Sequence, residues 1–132
     1  MPTPEQQAVL DTLVATARKP TVHTYGNRAG SALYFRTMHF PDAGSVIEGH
    51  THNYPHETFL IRGAVHAKAW DASGKLIVGR VYAAPCCVLI RADVKHEFVA
   101  LEADTLGVCV FGVRDYKGEF TSDWDGNMEC CT

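Results

Sequence analysis

From Thr21 onward this chain is written in short β-rich runs cut by turn residues, and that punctuation limits its possible folds more than anything else in it. "ALYFRTMHF" runs into "PDAG" and "HETFLIRG" into "AVHAKAW". "DASG" leads into "KLIVGRVY", and "CCVLI", "HEFVALE" and "LGVCVFGV" complete the set. Roughly eight strands, with a turn signal about every 8–12 residues, predict a sandwich or closed barrel rather than alternating β and α units. A chain of 132 residues is long enough for one domain with a real core and too short for two comfortable ones. Ahead of the strands, Thr3 is a candidate helix cap and Pro4 suits a first turn. Val9, Leu10, Leu13, Val14 and Ala17 form one apolar stripe, and Pro20 is a stop. The expected organisation is an N-terminal helix over 1–20, a β-barrel over 21–114 and a polar tail over 115–132.

Apolar residues make up 46% of the chain and charged residues 20%, ordinary globular usage. A net charge of −3, spread along the sequence, lacks the basic face that phosphate-backbone binding requires, so no nucleic-acid partner is expected. No apolar run approaches the length that crosses a bilayer, and "MPTPEQQAVL" lacks the basic-then-apolar order of a secretory signal. The expectation is a cytoplasmic protein with no membrane partner. The five cysteines are odd in number, include the adjacent pairs Cys86/Cys87 and Cys130/Cys131, and form no CxxC, which points to a reducing compartment. Cys109, in "LGVCVFGV", reads as a small buried hydrophobe, and Cys86 and Cys87 as strand residues.

The chemistry is concentrated in "HTHNYPHETFLIRG", residues 50–63. His52 and His56 are four apart, as on a zinc-binding helix, but Pro55 between them would disrupt that turn. On a strand the spacing works. His50 and His52 leave the same face about 6.6 Å apart, and two imidazoles so placed can converge on one ion at about 2.1 Å each. Asn53-Tyr54-Pro55 makes a bend. In the strand that follows, His56, Thr58 and Leu60 share one face, and Glu57, Phe59 and Ile61 share the other. Strand parity favours His56 as the next ligand, with Glu57 the alternative.

A fourth ligand must come from His23, His39, His66 or His96. His96, which follows an apolar run and a polar corner and so opens a strand near a rim, is the choice. His66 shares parity with Lys68 and Trp70 and is expected on an exposed or half-buried face. His23 and His39 are given no ligand role. Thr58, Leu60 and Phe98 are expected to line the pocket. Arg36 and Tyr34 lie on a central strand; they anchor an anionic substrate if their face points inward, and otherwise sit on the exterior or the rim. Four neutral imidazoles would leave a divalent ion its full double charge, which draws carboxylates, enolates and diols.

Gly44, five residues, His50, one residue, His52, three residues, His56, six residues, Gly63: this sequence resembles the first motif of the cupins, in the form carried by their small tetra-histidine, manganese-binding members. With Glu57 in place of His56 the two gaps become four and five. The second cupin motif is matched by His96 and the apolar run before it, with "AVHAKAWDASGKLIVGRVY" as the hairpin between the motifs. Pro85, Arg91 and Asp93 stand where glycine, proline and glycine are usual. The resemblance spans about residues 31–113. It implies an all-β, single-domain cupin, a jelly-roll barrel with an N-terminal helix, holding one divalent transition ion (manganese, iron, nickel or zinc) on His50, His52, His56 and His96. It further implies a metal-dependent enzyme acting on a small anionic or enolisable molecule. Dioxygenase-like or other Lewis-acid chemistry leads, with isomerase and lyase open. The alternative is a non-catalytic cupin that binds or senses a small ligand. A homodimer is the expected assembly.

Overall fold

The described residues form nine strands, seven at the β-rich runs of the sequence and two, β1 and β3, outside them: β1 (Thr21–Gly26), β2 (Leu33–Phe40), β3 (Val46–His50), β4 (His56–Arg62), β5 (Ala64–Trp70), β6 (Leu76–Ala83), β7 (Cys86–Ile90), β8 (Lys95–Ala100) and β9 (Thr105–Gly112). The structure, a computed structural model, describes residues 2–26, 33–52 and 55–112. The expected tail over 115–132, with Cys130 and Cys131, lies outside the described residues, as do Asn53 and Tyr54 of the bend and the side chain of Tyr34.

Two antiparallel sheets face each other, one ordered β1-β2-β9-β4-β7 and the other β3-β8-β5-β6. The chain changes sheet at every connection except the β1–β2 and β5–β6 hairpins, which is the jelly-roll path. Between the sheets lies a core of Met38, Phe40, Ile47, Leu60, Val65, Ala67, Val88, Ile90, Phe98, Ala100 and Cys109. Strand parity is clean in β4, where His56, Thr58 and Leu60 are buried and Glu57, Phe59 and Ile61 are exposed. β2 likewise turns Arg36, Met38 and Phe40 inward. Cys109 is buried, Cys86 packs against the core and Cys87 is exposed.

Two glycines frame the segment that carries the histidines, and both need a positive φ. Gly44 has φ +91° and Gly63 has φ +81°, and a Cβ would collide with the Leu13 backbone at the first and with Thr105 at the second.

Helix α1 (Pro4–Thr16) starts as expected: the Thr3 hydroxyl accepts from the Gln6 N–H, and the Gln6 side chain accepts from the Thr3 N–H. It ends at Thr16, short of Pro20. There the chain is captured by the β2–β3 corner, where the Arg18 backbone N–H and guanidinium donate to the Asp42 carboxylate and the Ser45 hydroxyl donates to the Arg18 carbonyl. The apolar stripe is only half used. Leu10, Val14 and Ala17 are half-buried, whereas Val9 is 62% exposed and Leu13 37%. Among the described residues no helix is long and apolar enough to cross a membrane.

Candidate metal centre

Four imidazoles meet at one end of the space between the sheets. The His50 and His96 ring centroids are 4.4 Å apart, His52 and His56 4.5 Å, His52 and His96 4.8 Å, His50 and His52 5.7 Å, and His56 and His96 5.7 Å. The ligating nitrogens of His50, His52 and His96 all lie within 4.8 Å of one another. His56 joins them through its Nε2, 2.9 Å from His52 Nε2. Nitrogens at right angles on one ion, about 2.1 Å from it, would stand about 3 Å apart. Glu57 is exposed on the opposite face of β4.

Each ring reaches this point by a different local device. His56 is carried by the regular parity of β4. His50 depends on a bulge: Ile47 pairs with Phe98 and His50 with His96, so β3 advances three residues while β8 advances two. Without that extra residue, inward-facing Ile47 would leave His50 on the outside. His52 lies beyond the end of β3, not on the strand with His50 as the i, i+2 spacing predicts. Its carbonyl accepts the Asp93 N–H at 2.8 Å, tying it to the turn between β7 and β8. His96 occupies the second position of β8 and is 2% exposed.

Backbone carbonyls orient two of the rings. His50 Nδ1 donates to the Glu48 carbonyl and His96 Nδ1 to the Val94 carbonyl, both at 2.8 Å. A proton on Nδ1 leaves the Nε2 lone pair for the centre, the outer hydrogen bond that metal-ligating histidines use. Among the described residues His96 Nε2 is buried with no hydrogen-bond partner, a costly condition for an acceptor unless something fills the space it faces. Burial pushes the His96 imidazole down to about 3, with the neighbouring histidines adding to the shift and the Val94 carbonyl opposing it. His50 is also lowered, chiefly by burial, with the charges of His56 and Arg36 adding. Rings that resist protonation keep lone pairs for a cation at neutral pH. The donor set of His50, His52 and His96 therefore fits a divalent metal.

The remaining candidates fall elsewhere. His23 is exposed on β1, and His39 Nε2 is 2.6 Å from Asp104 Oδ1 at the surface. His66, expected to be exposed or half-buried, is instead buried at 6% exposure, because α1 covers the outer face of β5 at that point. Thr58, Leu60 and Phe98 are all buried. Arg36 is 2% exposed and points inward, so of its two expected positions the exterior one is excluded. The β3 bulge escaped the parity argument; Gly49 inside a strand was the available signal for it.

No protein-family model matches the sequence, and no curated protein matches it. Solved structures do match. KdgF from Halomonas sp. aligns with a TM-score of 0.55 at 20% identity, over 73% of this chain and 83% of that one. Bacillus subtilis oxalate decarboxylase, studied for its Mn(II) centers, aligns at 0.62 and 18% identity, over 80% of this chain and 27% of its own length. A cupin 2 domain-containing protein from Halorhodospira halophila aligns at 0.58 and 16%, over 70% and 63%. Identities this low carry the fold and nothing finer, and the fold is that of the cupins.

Proposed function

We propose that this chain is a metal-dependent cupin enzyme in which His50, His52, His56 and His96 hold one divalent transition ion. Its substrate is a small anionic or enolisable molecule. The observation that carries the reading is the buried Nε2 of His96, which among the described residues has no hydrogen-bond partner and faces three other imidazoles while its Nδ1 is pinned by the Val94 carbonyl. Manganese is the first ion to try, because the decarboxylase of like fold has Mn(II) centers; iron, nickel and zinc are tried beside it, because imidazole ligands suit them. When bound, the ion supplies Lewis acidity, polarising an oxygen of the substrate. The chain's own part is to orient and to shield. The Glu48 and Val94 carbonyls hold two rings in place, and buried Thr58, Leu60 and Phe98 keep one side of the pocket dry.

Among the described residues no aspartate or glutamate is buried, so none of these places a carboxylate base in the lumen. That observation favours a second reading, a cupin that binds or senses its ligand without turnover. The two readings separate on purified protein. An enzyme carries near-stoichiometric metal and converts a carboxylate, diketone or catechol-like compound, with oxygen uptake if it is a dioxygenase. A sensor shows ligand-dependent thermal stabilisation with no product.

A homodimer is part of the same proposal. In its support, among the described residues β6 pairs with β5 alone and exposes Ile77, Val78 and Val81, an apolar edge of the kind that recruits another strand. Light scattering checks it, with a monomer mass counting against it. A cytoplasmic setting is supported by the unpaired cysteine pattern of the sequence.

A further inference from the structure

The β5–β6 hairpin has an outer face as well as an inner one. Val81 stands opposite His66, and Gly79 opposite Lys68, so these four residues leave the hairpin on the face turned away from the core residues Val65 and Ala67. Helix α1 lies over that face. It is fixed at its C-terminal end, where the Leu13 backbone lies against Gly44 and Arg18 holds Asp42. Although it carries an apolar stripe, none of its residues is buried. Between helix and hairpin is a groove of about 780 Å³, walled by Val9, Leu10, Leu13, Val81 and Leu101. Small-molecule sites have this size and this character, an apolar cleft with a few placed polar groups.

His66 is the polar group placed here. It lines the groove at 6% exposure, and among the described residues it has no hydrogen-bond partner. Buried polar side chains are hydrogen-bonded in the large majority, so this exception calls for an account. Its Nε2 looks onto the gap that Gly79 leaves: a Cβ there would stand 4.0 Å from Nε2 and 3.6 Å from Leu76 Cδ2. Burial lowers the His66 pKa and the charge of Lys68 adds to it, so the ring is neutral, with one N–H to donate and one lone pair to accept. A hydroxyl matches either nitrogen. Lys68, and Arg80 at the groove's border, disfavour a cation. An anion would lose its hydration against apolar walls, with Glu5 also at the border. A phenolic hydroxyl, more acidic than an alcohol, is the better donor to an imidazole, and a flat ring suits a slot between helix and sheet. We propose that the groove is a second small-molecule site, in which His66 hydrogen-bonds the hydroxyl of an uncharged, apolar ligand of the phenol class. It shares no residue with His50, His52, His56 and His96, and it does not rest on the metal-centre reading.

The test titrates the full, metal-free chain by calorimetry with 4-methylphenol and with its methyl ether, which keeps the ring and loses the O–H. Wild type, His66→Phe and Gly79→Leu are compared, with His66→Leu and Gly79→Val standing in for a variant that does not fold. Wild type is expected to bind the phenol about five- to tenfold more tightly than the ether, the difference that one hydrogen bond makes. His66→Phe should bind the two alike. Gly79→Leu, whose side chain enters the groove in front of His66, should weaken both by at least about tenfold. No binding of the phenol by wild type overturns the proposal, as does equal binding of phenol and ether by wild type. A preference that survives in His66→Phe, or affinity that is undiminished in Gly79→Leu, also overturns it. Light scattering runs beside the titrations. A wild-type dimer that Gly79→Leu turns into monomers would assign the groove to a second copy of the chain and end the small-molecule reading.

Discussion

His96 and His66 are buried histidines on neighbouring strands of one sheet, 2% and 6% exposed, and burial lowers the pKa of both. His96 points into the barrel, where three more imidazoles meet it and a carbonyl holds its far nitrogen. His66 points out of the barrel into a groove of about 780 Å³ under α1, among Val9, Leu10, Leu13, Val81 and Leu101. Burial and lowered basicity therefore do not mark a metal ligand. Convergence of several ring nitrogens on one point does, and only one of the two regions has it.

The sharpest way to break this comparison is by metal content. His52→Ala should abolish metal binding with the barrel still folded, and His56→Ala should lower it sharply, while His66→Ala and Glu57→Gln leave it nearly unchanged. Elemental analysis reads all four. Full occupancy in His52→Ala would contradict the assignment, and loss in Glu57→Gln would restore the usual cupin glutamate.

Gly44→Ala probes the outer region. The new Cβ runs into the Leu13 backbone at a positive φ, so the variant should lose about 2 kcal/mol or more in urea titration. As α1 lifts, His66 should become accessible to a histidine-modifying reagent, with metal content unaltered.

The two regions should also part in acid. In the metal-free fold His96 is neutral down to about 3, against an ordinary value of 6.5. Between those values the unfolded chain binds the extra proton, so stability falls as pH drops from about 6.5 toward 3. Urea midpoints from pH 7.5 to 4.5 should show this slope, and His96→Phe should flatten it more than His66→Phe does.

The smallest effect belongs to the exposed Arg18–Asp42 pair at the foot of the helix. Hydrogen bonds from Arg18 hold the Asp42 carboxyl at about 2. Its contribution is present above the unfolded value of 3.8 and is lost as pH falls through 2. Asp42→Asn should therefore shift the thermal midpoint slightly at pH 7 and not at all near pH 2, as expected of a solvent-exposed pair.

Much of the fold was legible because strand parity is local. The alternation in "HETFLIR" places His56, Thr58 and Leu60 on one face, and the burial of β4 follows it from His56 to Ile61. Thr3 and Pro4 likewise spell the helix start that forms, which the Gln6 side chain completes. Parity failed where the chain departs from a regular strand. The bulge between Ile47 and His50 resets the face on which His50 emerges, and His52 is held by the Asp93 amide rather than by a strand. It was also silent about His66, whose burial comes from a helix some fifty residues earlier in the chain.

The amino-acid order alone determined which residues share a face, where two glycines must turn the chain, and that three histidines crowd one bend. Only the pairing of strands and the packing of the two sheets decided that His96 from β8 stands against His50 from β3, that Arg36 looks inward, and that His66 lies under α1. The reason is physical: alternation along a strand is set by bonded neighbours, whereas which faces oppose each other is set by packing between segments far apart in the chain.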